Sequence, residues 1–577
     1  MAINNNKKIP PIGIEDFAEM QSQNYYYIDK TLFIKELFDT LAKVNVFLRP
    51  RRFGKTLALS TLKYFFEDTG DEARNAANRG LFTGTKIMRE DTHYSEKMTK
   101  YNVISLTLKS AKQPTLREAL YELKSAIAAE LRRHRALVAG ALDESSEEKY
   151  QFLLSFDSLK FDHEDWNTSI LFLCECLFTA TGKRTIILID EYDVPLENAY
   201  FRGFYDDIIG FLRSIFESSL KTNTYLEFAV ITGCLRVSRE SLFTGLNNLR
   251  MISVLNNTFG EYFGFTQSEV DEMLDYYGLR ARRGDVRDWY DGYMIGGADV
   301  YNPWSVINTP DHLRGNPDDY MTPHWVNTSS NEIIRTLVDR ADESVKGEIE
   351  DLIAGGVIEK PVREDVTYAD MLDRGDNLWN FMYFTGYLTK AGARRLEGVS
   401  NILPMRIPNL EVRYIYKDII MAWLEKRFES KDLAPFYRAI LDGDATSAED
   451  ALCDALIGTI SFYDYKESYY HGFLAGMLRG IGGYAARSNR ESVAGRSDII
   501  LMPNRSRNPV IIIEIKVAEK ATDLYKMCEA ALQQIEGRGY GADARAEGYT
   551  SFLHYGVAFF KKEAAVCCRR AAEARGS

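Results

Sequence analysis

The stretch KVNVFLRPRRFGKTLALSTLKYFFE, residues 43–67, passes from apolar residues through a basic, glycine-containing turn into a second apolar pattern. Its first part, KVNVFLRP (43–50), predicts a β-strand, and KTLALSTLKYFFE (55–67) predicts a helix that starts directly after Gly54. A strand followed at once by a helix is the building unit of a parallel sheet. The stretch therefore predicts an α/β fold for this part of the chain.

The same alternation continues through the first half of the chain, with a helix expected near 115–136. Further strands are predicted at YNVISLTL (101–108), RTIILIDEYD (184–193), LEFAVITG (226–233) and RMISVLNN (250–257). Together these elements predict a P-loop-type parallel sheet with helices on both faces, in a domain that spans residues 1–265.

Two further regions follow this domain. Residues 266–445 turn mostly helical and are expected to be a lid or linker region, interrupted by a loop at NPWSVINTPDHLRGNPDDYMTP (302–323). Residues 446–577 begin a new pattern of helix, helix, strand, strand, helix and strand, which predicts a separate C-terminal α/β domain.

Length, net charge and cysteine content limit the kinds of protein that this chain can be. A chain of 577 residues exceeds what one hydrophobic core usually serves, and the net charge of -12 argues against a protein that coats nucleic acid by bulk charge. That charge leaves room for an enzyme with one local basic groove. Seven scattered cysteines suggest reduced thiols in a cytoplasm, and we expect no export signal and no membrane span.

The turn RPRRFGKT (49–56) ends in Gly54, Lys55 and Thr56, which match the tail of the phosphate-binding motif GxxxxGK[ST]. In that motif backbone N–H groups cradle phosphates, the lysine reaches the terminal phosphates and the threonine binds Mg²⁺. The loop residues Arg51, Arg52 and Phe53 complete the predicted ATP site. Arg49 replaces the motif's first glycine, so the sequence does not determine the shape of the loop entrance.

A partner for this motif lies at the end of the third strand. Asp190 is placed to hold Mg²⁺ through water, and Glu191 is placed to polarise an attacking water. Thr232, at the end of the fourth strand, could sense the terminal phosphate, with Arg236 nearby as a charge stabiliser. A solvated strand end, a cap and a surface salt bridge are the plain alternatives for these residues. The sequence does not rank Arg51, Arg52 and Arg236 as stabilisers, nor decide between a monomer and an oligomer.

A second site is predicted at VIIIEIK (510–516). Because strand side chains alternate between faces, Glu514 and Lys516 share one face. Asp498 begins the preceding strand, and an antiparallel hairpin could bring it beside Glu514. Two neighbouring carboxylates favour a cation such as Mg²⁺ between them, and a nearby lysine can orient a water for phosphodiester cleavage. The alternative is a surface hairpin with a simple Glu–Lys pair.

The flanking helices offer further polar groups. The helix upstream of the hairpin carries Glu467 and also His471, which could contact phosphate or simply pack. The helix downstream carries Gln534, and Tyr540 ends the same stretch.

With both sites assembled, the chain resembles a bacterial family whose members carry an N-terminal AAA-ATPase-like domain and a C-terminal PD-(D/E)XK nuclease-like domain. The resemblance runs nearly end to end. It rests on YYIDKT (26–31), RPRRFGKT (49–56), LIDEYD (188–193), SLFTGLNNL (241–249), WYDGY (289–293), YNPWS (301–305), RSDIIL (496–501), IIIEIK (511–516) and ALQQIEGRGY (531–540).

The resemblance implies a restriction-endonuclease-like fold for the C-terminal domain, with Asp498, Glu514 and Lys516 at the active-site motif. It also implies that Glu467 is the upstream acidic residue and that Gln534 and Tyr540 form the downstream helix motif. The expected function is an ATPase coupled to a Mg²⁺-dependent endo- or exodeoxyribonuclease. The alternative is a nucleotide-dependent switch that binds nucleic acid or a protein without cleavage.

Overall fold

The computed structural model describes residues 7–40, 42–155, 164–236, 242–243, 248–325, 343–364, 375–397, 400–416, 433–457, 467–478, 480–488, 491–492, 495–496, 498–504, 508–538, 540 and 542–571. They fall into two compact units. The first lies within residues 1–334 and 357–413, and the second lies within residues 335–356 and 414–577.

The first unit is built on a five-stranded parallel sheet. Its strands are β1 (Val44–Leu48), β2 (Asn102–Thr107), β3 (Thr185–Asp190), β4 (Leu226–Gly233) and β5 (Leu249–Ile252). Their order across the sheet is β2-β3-β4-β1-β5, so β4 lies between β1 and β3. Because parallel strands end at the same edge of a sheet, the predicted site residues after β1, β3 and β4 are neighbours.

Burial explains why these strands have no polar face. Every residue of β1 and β3 is buried. Since alternate side chains point to opposite faces, both faces of the sheet are covered, which is the arrangement of parallel sheets in α/β proteins. The N-terminal part of the predicted fold class is confirmed.

Ten helices accompany this sheet in the part of the first unit that the structure describes up to residue 216. They are α1 (Phe17–Ser22), α2 (Leu32–Asp39), α3 (Lys55–Phe66), α4 (Glu72–Gly80), α5 (Thr92–Ser95), α6 (Leu116–Val138), α7 (Glu144–Ser155), α8 (Ser169–Thr181), α9 (Val194–Arg202) and α10 (Tyr205–Phe216). The helices predicted at 55–67 and 115–136 correspond to α3 and α6.

The middle of the chain is mostly helical, as predicted, and it also carries a hairpin and a small antiparallel sheet. The helices are α11 (Gln267–Tyr277), α12 (Arg283–Tyr290), α13 (Pro303–His312), α14 (Glu343–Ile353) and α15 (Gly375–Thr385). The strands are β6 (Tyr293–Ile295), β7 (Ala298–Val300), β8 (Ile358–Pro361), β9 (Thr389–Lys390), β10 (Arg395–Glu397) and β11 (Ser400–Arg406). The domain boundaries at 265 and 445 stay a prediction.

The prediction of a loop at 302–323 is wrong for the first half of this range, where α13 forms. The side chain of Asn302 accepts hydrogen bonds from the backbone N–H groups of Trp304 and Ser305, and Pro303 occupies the first turn. Proline at that position is compatible with a helix, because its missing N–H has no partner there in any case. Pro303, one of the prolines that suggested a loop, therefore marks a helix start, and Pro310 lies inside the same helix.

The second unit carries a five-stranded mixed sheet in the order β12-β15-β16-β17-β18. Its strands are β12 (Tyr484–Ser488), β15 (Ile499–Pro503), β16 (Val510–Val517), β17 (Phe552–Phe560) and β18 (Glu563–Arg570), with a separate pair β13 (Glu491–Ser492) and β14 (Gly495–Arg496). Its remaining helices are α16 (Ala434–Asp442), α17 (Ala445–Ile457), α18 (Glu467–Leu478), α19 (Leu524–Arg538) and α20 (Ala542–Ala546). The predicted α/β fold is confirmed, although the predicted pattern lacked β12 and β18.

Two further facts bear on the environment of the protein. Within the described residues, no helix is both long enough and apolar enough to span a membrane. All seven cysteines lie in described segments, and each is a free thiol.

Candidate functional site

The loop between β1 and α3 passes twice through left-handed backbone. Arg52 has φ 65° and Gly54 has φ 78°. Gly54 directly precedes α3, and no side chain among the described residues caps the first turn of that helix. The first N–H groups of α3 are therefore available to an anion, which the helix dipole also favours.

Arg49, at the position of the motif's first glycine, turns its side chain into the core. The buried guanidinium donates to the backbone carbonyl oxygens of Leu48 (2.9 Å), Ile252 (2.9 Å) and Phe259 (3.4 Å). It also lies 5.2 Å from the ring centroid of Phe263. Burial lowers the pKa of Arg49 to about 9. This side chain ties the end of β1 to the segment after β5, and it does not line the phosphate-loop cavity.

The ammonium of Lys55 lies against its own loop. It donates to the carbonyl oxygens of Arg49 (3.0 Å) and Pro50 (2.9 Å) and to Sγ of Cys234 (3.4 Å). Lys55 lines a cavity of about 590 Å³ together with Thr56 and the loop. To reach a phosphate, the ammonium would exchange these contacts for phosphate oxygens.

Asp190 brings together hydroxyl groups from two elements. The Thr56 hydroxyl donates to Oδ2 of Asp190 at 2.6 Å, and the Thr232 hydroxyl donates to Oδ1 at 2.5 Å. This meeting depends on the position of β4 between β1 and β3. A hydroxyl beside a buried carboxylate is an oxygen pair that Mg²⁺ takes while keeping several waters, so these residues fit the ion.

Glu191 follows Asp190 in a left-handed conformation with φ 52°. Such a conformation is costly for a residue other than glycine and is typical of functional sites. Burial raises the pKa of Glu191; the charge of Lys55 opposes this shift, and the charge of Asp190 adds to it. The side chain lines the same cavity as Lys55.

Two of the predicted arginines are engaged in ion pairs. Arg51 NH2 lies 2.5 Å from Oε2 of Glu197, and Arg236 NH1 lies 3.7 Å from Oε2 of Glu364. Arg51 lines the cavity, whereas Arg236 does not. The structure therefore places Arg51, but not Arg236, with the phosphate loop.

The other two loop residues contact aromatic rings. The guanidinium of Arg52 lies 4.1 Å from the ring centroid of Trp304, which also lines the cavity. The ring of Phe53 is buried and lies 5.0 Å from that of Tyr293. Trp304 was not among the predicted site residues, although the segment YNPWS contains it.

Asp193 is a second residue that the sequence prediction missed. Its Oδ2 accepts the backbone N–H groups of Cys234 (2.8 Å) and Leu235 (3.0 Å). The carboxylate thus holds the segment after β4 against the segment after β3, which carries Glu191. Its position as the last residue of LIDEYD (188–193) is the sequence feature that could have identified it.

In the second unit, β15 and β16 pair in the predicted antiparallel sense, with Ile499 opposite Ile513. Continuing this register by one residue beyond β15 brings Asp498 to the position opposite Glu514. The Oδ2 atom of Asp498 accepts the backbone N–H of Ile515 at 2.7 Å, which fixes that carboxylate beside the end of β16.

Glu514 is the central polar group of this site, with 3% of its surface exposed. Its Oε1 accepts hydrogen bonds from Nζ of Lys516 at 3.3 Å and from Nε2 of Gln534. Its Oε2 is buried without a hydrogen-bond partner among the described residues. Burial raises the pKa of Glu514 to about 7, and the charge of Asp498 adds to the shift.

The downstream helix supplies a short polar chain to Glu514. Nε2 of Gln534 also donates to the hydroxyl oxygen of Tyr540 at 3.3 Å, and NH1 of Arg538 donates to the same oxygen at 3.2 Å. The structure thus brings Glu514, Gln534 and Tyr540 together. Arg538 is an additional cation at this site that the sequence prediction did not include.

The upstream helix contributes differently. Glu467 is the first residue of α18, and its side chain lies outside the described residues. Nε2 of His471 lies 2.9 Å from the backbone carbonyl oxygen of Asp498. His471 therefore contacts the strand start that carries the carboxylate.

The carboxylates of Asp498 and Glu514 are suited to bind a hard divalent cation. Among the described side chains, no group of three or more His, Cys, Asp or Glu residues is placed to hold a metal ion. Asp498 and the unpartnered oxygen of Glu514 offer hard oxygen ligands from two residues. Mg²⁺ accepts such a set because it retains waters, whereas Zn²⁺ usually takes three or four protein ligands.

Comparison with known proteins finds a family model for each of two parts of the chain. Residues 11–243 match the family model described as a predicted AAA-ATPase, and residues 465–568 match that of the PD-(D/E)XK nuclease superfamily. The family resemblance inferred from the sequence is thereby confirmed.

Two individual proteins are similar to this chain. An uncharacterized protein in the vnfD 5' region of Azotobacter chroococcum mcd 1 is 27% identical over 578 residues, which cover 97% of this chain and 98% of that protein. The Walker-type ATPase of Pyrococcus abyssi aligns with a TM-score of 0.36 and 12% identity, over 72% of this chain and 100% of that one.

Proposed function

Because the chain carries an AAA-ATPase-like domain and a PD-(D/E)XK nuclease-superfamily domain, we propose that it hydrolyses ATP and cleaves DNA phosphodiesters in a Mg²⁺-dependent reaction. In this proposal residues 1–265 form the ATPase domain, residues 266–445 a lid or linker region, and residues 446–577 the nuclease domain. ATP turnover regulates cleavage.

In the first domain, the residues around the loop between β1 and α3 have different roles in ATP hydrolysis. Gly54 and the first N–H groups of α3 bind the phosphates, and Lys55 adds its charge. Thr56 and Asp190 would hold Mg²⁺, and Glu191 takes the proton of the attacking water. Thr232, at the end of β4, donates a hydrogen bond to Asp190. Through this contact it senses the terminal phosphate.

Oε2 of Glu514, which is buried and has no hydrogen-bond partner among the described residues, carries the nuclease proposal. A buried carboxylate oxygen without a hydrogen bond is costly and calls for an explanation. Oε2 of Glu514 and the carboxylate of Asp498 would hold a divalent cation, which would offset the charge of both carboxylates and so explain the buried oxygen.

The remaining residues position this centre. Bound Mg²⁺ would polarise the phosphate and lower the pKa of a water. The ammonium of Lys516 orients that water and offsets charge on the phosphate. Gln534 and Tyr540 hold Oε1 of Glu514 in place, and Glu467 acts as the upstream acidic residue.

A second candidate function is a nucleotide-dependent switch that binds nucleic acid or a protein without cutting it. The observation that favours it is the pair of donors on Oε1 of Glu514, because Lys516 and Gln534 already satisfy that oxygen without a metal.

Cleavage of labelled single-stranded DNA, double-stranded DNA and RNA by the purified full-length chain, with ATP and Mg²⁺, tests the proposal. We expect the wild type to cut DNA, and Glu514→Gln or Lys516→Ala to lower the rate by about 100-fold or more. The matched control is Glu519→Gln, which changes an exposed carboxylate outside the site and leaves the rate unchanged.

The pH dependence sharpens this test. Glu514 has a pKa of about 7, so its carboxyl loses its proton as the pH rises through neutrality. We therefore expect cleavage to increase between about pH 6 and pH 8 at fixed Mg²⁺. Equal cleavage by Glu514→Gln and wild type would contradict the nuclease proposal, and DNA binding without cleavage would favour the switch.

We further propose that the protein works in a bacterial cytoplasm. The seven free thiols support this, because disulfides are rare in a reducing compartment. Oligomerisation is compatible with the proposed function.

A further inference from the structure

The cavity at the phosphate loop has a second group of cations, on the side of the segment after β2. Lys109 and Lys112 line this cavity together with Lys55, Thr56 and Glu191. Neither lysine belongs to the phosphate-binding motif. Both are exposed, so their ammonium groups can turn toward a ligand.

Sheet topology brings the segment of these lysines beside Asp190 and Glu191. β2 pairs with β3 in parallel, with Thr107 opposite Asp190, and the N–H of Leu108 donates to the carbonyl oxygen of Asp190 at 3.0 Å. Lys109 follows directly, and its charge acts on the neighbouring Glu191 carboxylate.

The backbone that carries the two lysines is held in place. Residues Lys109–Ala111 form a 3₁₀ turn. The side-chain amide of Asn198 on α9 donates to the carbonyl oxygen of Gln113 at 2.5 Å, and the N–H of Gln113 donates to that of Ala111 at 3.0 Å. The lysine side chains therefore project from an anchored segment.

The arginines near the loop are engaged by other groups. Arg51 pairs with Glu197 at 2.5 Å and Arg52 stacks on Trp304. By contrast, Lys109 makes one long ion pair within the described residues, with Glu15 at 3.6 Å, and both side chains of that pair are more than half exposed. Exposed pairs of this kind contribute little free energy, so a phosphate can displace Glu15.

We propose that Lys109 and Lys112 bind the terminal phosphate of ATP and stabilise its transfer to water within a single chain. This inference rests on the proposed ATPase function. The water oxygen bonds to the γ-phosphorus and its proton passes to Glu191. The bond from the γ-phosphorus to the β,γ-bridging oxygen breaks, and its electron pair stays on ADP. The lysines neutralise the charge on the γ-phosphate, a task that in other phosphate-transfer proteins falls to an arginine finger.

The test compares wild type, the double variant Lys109→Ala/Lys112→Ala, its charge-conserving partner Lys109→Arg/Lys112→Arg, and the control Lys100→Ala, which removes an exposed lysine outside the cavity. We expect the double alanine variant to lose about 100-fold or more in kcat. It should also bind a non-hydrolysable ATP analogue several-fold more weakly, with ADP affinity unchanged. The arginine variant should restore most of the kcat and most of the affinity for the ATP analogue.

In addition, kcat per chain should not depend on protein concentration. Alanine substitution without effect on either readout, or turnover that rises with protein concentration, would overturn the proposal. The analogue-versus-ADP comparison needs no turnover. If the wild type does not hydrolyse ATP, the ATPase proposal fails, while the phosphate site is still decided by that comparison.

Discussion

At the scale of single residues, Arg49 stands where the phosphate-binding motif has its first glycine, and its side chain is buried in the core. The missing glycine would have allowed a tight turn, and here Arg52 and Gly54 supply the left-handed backbone. The guanidinium of Arg49 instead satisfies three buried carbonyl oxygens. The Arg49 side chain therefore lies in the core and does not line the phosphate-loop cavity.

Glu411 is a second buried charge, and it yields a pH-dependent prediction. Oε2 accepts the hydroxyl of Ser305 at 2.7 Å, and Oε1 accepts the N–H of Trp325 at 2.9 Å. Burial nevertheless raises its pKa from 4.5 to about 7. Between these values the folded chain keeps a proton that the unfolded chain has lost, so rising pH lowers the free energy of unfolding, by up to about 3 kcal/mol for this group.

Urea unfolding at pH 5 and pH 7.5 checks this expectation. Glu411→Gln, which cannot ionise, should lose less stability between the two pH values than the wild type. The exposed residue Glu397 provides the control variant Glu397→Gln, which should follow the wild type. A wild-type pH dependence unchanged in Glu411→Gln would show that Glu411 ionises normally.

At the scale of elements, the position of α19 on the sheet sets the geometry around Glu514. Gly556 on β17 lies opposite Glu514 in the parallel pair β16–β17. A Cβ at Gly556 would overlap the backbone carbonyl oxygen of Cys528 on α19. The absence of a side chain there allows the helix to approach the sheet closely, and with it Gln534 to reach Glu514.

We predict that Gly556→Ala destabilises the second unit by about 1–3 kcal/mol, because overpacking forces helix and strand apart. Gly537→Ala on the same helix is the matched control, since nothing lies within 4 Å of a Cβ at that position. It should be neutral or slightly stabilising, because alanine favours the helix. Chemical unfolding measures both, and equal stability of the two variants would contradict this packing argument.

At the scale of the whole molecule, each of the two compact units has buried residues of its own. In the second unit the apolar cluster between the helices α16–α18 and the strands β15–β18 joins helices to sheet. A unit with its own core can unfold as a unit.

We therefore expect two transitions in calorimetry. A non-hydrolysable ATP analogue at about 100 times its Kd should stabilise the first unit by about 2.7 kcal/mol and leave the other transition in place. Lys55→Ala should remove this shift, and Glu514→Gln should retain it. A single transition that moves as a whole would show that the two units unfold together.

Local pattern by itself determined much of the fold. Period-two alternation predicted that Glu514 and Lys516 share a face, and the apolar runs predicted all five strands of the first sheet. Strands β12 and β18 escaped prediction, because segments of mixed polarity become strands only through their neighbours.

Only the tertiary structure decided which distant groups meet. Strand order places Thr232 against Asp190, and chain folding brings Trp304 to Arg52 and Lys109 to the cavity wall. The physical reason is that periodicity reports which side of an element is buried, whereas contacts between elements depend on the order in which they pack. The sequence by itself therefore determined the elements and the chemistry they carry, and packing determined their partners.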